Sequence, residues 1–103
     1  MASYTLSNAV SAVQTSLPAA TAISPAADEQ IFTFSISGTG GWGQVDVVGS
    51  NDNTNFYPYC SFKVEPGSLV QTLTDRRRTQ WGYLAATVSQ LSSGATATLT
   101  CVA

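Results

Sequence analysis

Two runs of strict alternation frame a polar cluster in the middle of this chain, and they constrain the fold more than any other feature. Val45 and Val47 alternate with Gln44 and Asp46. Gly49-Ser50-Asn51-Asp52-Asn53-Thr54-Asn55 follows, with no large apolar side chain. Beyond it Phe56, Pro58, Cys60, Phe62 and Val64 share one expected face, and Tyr57, Tyr59, Ser61 and Lys63 the other. Apolar residues at every second position belong to a strand with one buried face, because successive Cβ atoms point to opposite sides of the pleat. Gly, Asn and Asp accept the backbone of a tight reversal. Residues 42–62 therefore read as a β-hairpin.

The same pattern recurs along the chain. Phe32, Phe34 and Ile36 alternate with Thr33 and Ser35, and the Gly38–Gly41 cluster then turns the chain. Glu65-Pro66-Gly67-Ser68 has Pro and Gly where a type II turn requires them. Leu69, Gln71 and Leu73 read as one face of a short strand, and residues 75–80 as the next connection. Trp81 to Val88 is apolar on both faces, which suits a central or covered strand. Ala95, Ala97, Leu99 and Cys101 alternate with Thr96, Thr98 and Thr100. Six short strands from residue 30 onward bury their faces as an all-β, antiparallel two-sheet β-sandwich, Ig-like or jelly-roll-like.

Residues 1–28 differ from the rest. They are rich in Ala, Ser and Thr, with Pro18 and Pro25 as breakers. Leu6, Val10, Val13 and Leu17 fit a helical stripe, but the residues between them are weak helix formers. An extended arm with a strand around Tyr4–Leu6 or 9–14 fits equally. The expected division is an N-terminal arm, 1–28, and a sandwich domain, 29–103. Such an arm becomes ordered by tying to its own sheet or to a neighbouring subunit.

At 103 residues the chain is one domain. Charged residues make up 10% of it, against roughly 25% in typical soluble domains. That composition leaves little repulsion between copies and is common in extracellular β-modules and in self-assembling shells. A net charge of −2 argues against nucleic acid. No apolar run is long enough to cross a membrane, and the first residues do not read as a signal peptide. No cofactor or metal is expected. There is no histidine, and Cys60 and Cys101 alone do not make a zinc site. They read as buried thiols, with a disulfide left open.

Candidate sites are few. The 49–55 loop has one carboxylate, too few for calcium, and reads as turn chemistry. Arg76, Arg77 and Arg78 form the one concentrated charge, suited either to an acidic partner or to a solvated turn beside Asp75. Tyr57 and Tyr59 fall opposite the apolar face and are candidate contact residues for a protein or a surface glycan. Tyr4, Leu6, Val10, Val13 and Leu17 are candidate contacts of the arm. The six carboxylates are scattered, and nothing points to acid–base catalysis.

The stretch Val45-Asp46-Val47-Val48-Gly49-Ser50-Asn51-Asp52-Asn53-Thr54-Asn55-Phe56 resembles a pattern in small structural proteins of tailed bacteriophages and prophages. The strand Trp81-Gly82-Tyr83-Leu84-Ala85-Ala86-Thr87-Val88 and the Thr-rich segment from Gly94 to Cys101 extend the resemblance over about residues 30–103. Asn53 stands where that pattern usually has Gly, and the 81–88 strand lacks an arginine often found there. The resemblance implies a non-enzymatic β-sandwich virion protein. Within that class a many-copy capsid decoration or stabilising protein is expected, homo-oligomeric and in contact with other virion proteins. A tail, neck or baseplate component, or a carbohydrate-binding module, is the alternative.

Overall fold

The computed structural model describes residues 2–23, 29–78 and 81–103. Pro25, Asp28 and the end of the 75–80 connection lie outside the described residues. Among the described residues eight strands follow in order: β1 (Ser3–Val10), β2 (Thr21–Ala22), β3 (Gln30–Ser37), β4 (Gly43–Ser50), β5 (Tyr57–Val64), β6 (Thr72–Arg77), β7 (Tyr83–Leu91) and β8 (Thr96–Val102). They form two four-stranded sheets, ordered β1-β8-β3-β6 and β2-β7-β4-β5. The chain is all-β, two antiparallel sheets packed as a sandwich. Strand 1 pairs with 8, 2 with 7, 3 with 6 and 4 with 5, all antiparallel. This nesting of four pairs, wrapped so that successive pairs fall in alternate sheets, is the jelly-roll connection.

Period-two patterning explains the interior. Phe32, Phe34, Leu99 and Cys101 from one sheet meet Val45, Val47, Leu84, Ala86 and Val88 from the other, and all are buried. Phe32 packs on the Phe62 ring with centroids 5.5 Å apart. Gln30, in phase with Phe32, is also fully buried, and its amide finds no hydrogen-bond partner. As expected from its two apolar faces, the strand now numbered β7 is central: Ala86 is buried in the core, and Ala85 on the opposite face is only 2% exposed.

One open alternative is decided and two expectations are corrected. The N-terminal segment ties to its own sheet: β1 pairs with β8 and β2 with β7, and Tyr4, Leu6 and Val10 pack against the core. The helical stripe gives way to a strand because weak helix formers hold a short helix poorly, whereas pairing along the open edge of β8 also packs Tyr4, Leu6 and Val10 against the core. Two register shifts and a positive φ at Ala9 bend β1 along that edge.

Second, the strand expected at 69–73 lies later. β6 begins at Thr72 and includes Arg76 and Arg77, which pair with Ile31 and Gln30. The charged segment reads as a loop by composition, but β3 needs a partner along that edge. Leu73, Asp75 and Arg77 take its inner-facing positions, where the Asp75–Arg77 ion pair (2.9 Å) lies beside the core and Arg77 sits 6.0 Å from the Phe62 ring centre.

Third, Tyr57 and Tyr59 do not lie opposite the apolar face. Cys60 faces Val47 and Pro58 faces Val48, so Tyr59 is the extra residue of a bulge. The bulge reverses the alternation. Tyr59 packs edge-on against Phe32, and Tyr57 pairs with Gly49.

Candidate interaction surfaces

Trp81 occupies the space that a side chain at Gly49 would take. Tyr57 stacks on Trp81, with centroids 5.7 Å and planes 14° apart, and is 54% exposed. This aromatic pair closes one end of the sandwich. Beside it Asn51 Oδ1 accepts a hydrogen bond from the Gly82 N–H at 3.2 Å. Tyr59 is half-buried, and its hydroxyl donates to the Arg78 carbonyl at 3.1 Å.

The 50–55 loop satisfies itself. Asp52 Oδ1 accepts from the backbone N–H groups of Asn55 (2.8 Å) and Thr54 (2.9 Å) and from Ser50 Oγ (2.9 Å), and Oδ2 accepts from Asn55 Nδ2. The Asn55 and Thr54 N–H groups, with smaller help from the Asn55 and Ser50 side chains, hold its carboxyl far below the usual range. Asn53, where the resembled pattern has Gly, adopts φ +59°, a left-handed geometry that Asn tolerates. The carboxylate is consumed by its own turn, as the sequence suggested.

The arginines are separated by the strand's alternation. Arg77 turns inward to Asp75, and Arg76 faces outward toward Glu29 at 3.8 Å. Arg78 is exposed just past β6. The outer face they border is built of hydroxyls. Thr5, Thr100, Thr33 and Thr74 stand in one register row across all four strands, and Thr98, Ser35 and Thr72 form the next. Cross-strand threonine pairs stabilise a sheet without charge.

Of the arm residues, Tyr4, Leu6 and Val10 are partly buried in the sandwich, whereas Val13 and Leu17 are exposed. Gln14 fastens the segment to β7 through its backbone N–H and its side-chain oxygen, both at 2.9 Å from Val88 atoms. Two contact candidates escaped the sequence reading, Leu69 and Val70, which are 101% and 58% exposed on the loop between β5 and β6. Their adjacency is the signal that was available, since neighbouring residues of a strand cannot both face one core.

Cys60 and Cys101 are both free thiols, and burial pushes each up to about 11. Among the described residues no group of three or more His, Cys, Asp or Glu is placed to hold a metal ion, and no helix is long and apolar enough to cross a membrane. Compared with family models, curated proteins and solved structures, the chain finds no match.

Proposed function

We propose that this chain is a non-enzymatic structural protein of a bacteriophage particle, attached in many copies to the shell as a decoration or stabilising subunit. The observation that carries the reading is the jelly-roll pairing of a chain bearing the 45–56 and 81–88 signature. Jelly rolls serve viral shells and lectins, and this support is an analogy of fold. The low charge and the threonine face agree with a protein that lies against other proteins. The mode of attachment differs from a free arm, because β1 already completes its own sheet. Loops and faces are left to make the contacts, each modest and summed over many copies.

Quantitative mass spectrometry and imaging of purified particles test this. Hundreds of copies per particle support a shell protein. Copy numbers in multiples of three or six place it on the tail, neck or baseplate. Absence from particles refutes both.

A second reading, a carbohydrate-binding module, draws on the exposed Tyr57 stacked on Trp81, because an aromatic face can stack on a sugar ring. Saturable binding on a glycan array, lost in Tyr57→Ala, favours it. A blank array removes it.

A further inference from the structure

Strand β1 lies on β8 with defects that its neighbours lack. Two register shifts fall within its eight residues. Ala9, inside the second, takes φ +47°, a left-handed geometry that costs a residue carrying a Cβ. Its N–H donates to Thr98 Oγ1 at 3.1 Å, a side-chain bond in place of a ladder bond. The Ser7 hydroxyl is buried and finds no partner among the described residues. Such defects lower the cost of lifting the strand as a unit. What holds it is the pairing of Ser3, Tyr4 and Thr5 with Val102, Cys101 and Thr100, and the packing of Tyr4, Leu6 and Val10 on the core.

The linker that follows is slack. Residues 11–20 are mostly exposed and hold no strand, and Gln14 pins them to Val88. They run from the row of Val10, Ala97 and Ile36 to the row of Thr21, Leu84 and Gly49. Ile36 Cδ1 lies 3.1 Å from where a Cβ on Gly43 would stand, so the run matches the stretch of β4 from Gly43 to Gly49. That is about 20 Å along the strand, with about 10 Å more to cross between the sheets. Ten extended residues reach about 33 Å, and the molecule measures 26 Å and 18 Å across its two shorter axes. A β1 that lifts off therefore reaches the β8 of an adjacent copy.

We infer that β1 is an exchangeable strand: in a pair of copies, each β1 leaves its own β8 and pairs with the β8 of the other. The occupant of that edge is on view in the closed chain, because the exchanged contacts are the ones that β1 already makes. Closed and exchanged forms differ in the course of the linker, so concentration and linker length decide between them. Reciprocal exchange leaves neither β8 bare and closes as a two-fold dimer. The inference concerns the purified chain and does not need the particle reading, so its failure leaves that reading untouched.

Shortening the linker tests it. Without residues 12–17, five steps join Val10 to Thr21 and span at most about 18 Å, too little for β1 to close on its own β8. This variant runs as a dimer on size exclusion, with the wild-type circular dichroism spectrum. The wild type is monomeric when dilute and gains dimer on incubation at about 1 mM just below its melting midpoint. A shortened chain that is monomeric with the wild-type spectrum, or a wild type that gains no dimer, overturns the inference. Should the shortened chain fail to fold, full-length chains decide. Thr5→Cys protein is incubated in the same way with Thr100→Cys protein, then oxidised with glutathione disulfide. Exchange sets positions 5 and 100 of different copies side by side. The mixed disulfide then exceeds, several-fold, the one formed by Thr5→Cys with Thr74→Cys, which stands in the same row two strands beyond Thr100. Equal yields from the two mixtures mark random collision and refute the exchange.

Discussion

The indole of Trp81 lies against the α-carbon of Gly49, in the place where any side chain at 49 would begin. Gly49 is therefore fixed by its neighbour more than by its backbone, since it is the cross-strand partner of Tyr57 and Leu84 in regular β-structure. Gly49→Ala should displace Trp81, unstack Tyr57 and cost about 1–3 kcal/mol, as overpacking of a filled site does. Urea denaturation gives the cost. Trp81 fluorescence in a Trp42→Phe background reports the displacement, and an unchanged spectrum with unchanged stability contradicts the assignment.

Removing residues 2–10 should do more than detach an appendage. It bares the edge of β8 and withdraws Tyr4, Leu6 and Val10 from the core. A truncated chain is expected to aggregate or to lose cooperative unfolding, because an open edge recruits other strands. A truncated protein that stays soluble and melts with the wild-type midpoint shows that β1 is dispensable.

Asp52 ties its loop together by accepting the Asn55 and Thr54 N–H groups. Its carboxyl is held far below the ordinary value of 3.8. A depressed folded value adds stability above pH 3.8 that is lost only as pH falls toward the folded value. In an NMR titration the Asp52 carboxyl should remain ionised well below pH 3.8 while an unfolded control titrates there. Asp52→Ala should speed amide exchange at Thr54 and Asn55, and protection left at wild-type levels argues against the tie.

The two thiols act at the other end of the pH scale. Burial raises Cys60 and Cys101 from 9.0 to about 11. A raised folded value means that their contribution is fully present below pH 9 and is lost as pH climbs through 11. The fall in urea midpoint between pH 8 and pH 10 should shrink in the Cys60→Ala/Cys101→Ala double variant. An equal fall in both proteins assigns the alkaline loss to other groups.

Strand existence was legible in the sequence wherever alternation was clean, as at Phe32–Ile36 and Ala95–Cys101, because a half-buried pleat leaves that record. Turn chemistry was legible for the same local reason: Asp52 and Gly67 do what their residue types favour. Faces and edges were not. The bulge at Tyr59 reversed the phase of β5, and nothing within β5 signals it, since it arises from pairing with β4. β1 was legible only as one of two alternatives, because weak propensities at 3–10 do not choose between them, and β6 became a strand to complete the edge of β3, a long-range need that the charges at 75–77 conceal. The expected exposures shifted for that reason: Tyr59 packs half-buried against the core, and Leu69, assigned to a strand, stands in solvent.

Asp75 and Arg77 have a consequence for concentrated solutions. A chain with so little charge has weak repulsion to keep copies apart, and an open sandwich has strand borders on which cross-β growth can start. Here each border is spoiled: β2 is two residues long, β1 is bent by its register shifts, β5 carries Pro58 and a bulge, and β6 points an ion pair inward. Crowding such molecules therefore brings their faces and loops together while denying fibrils a template.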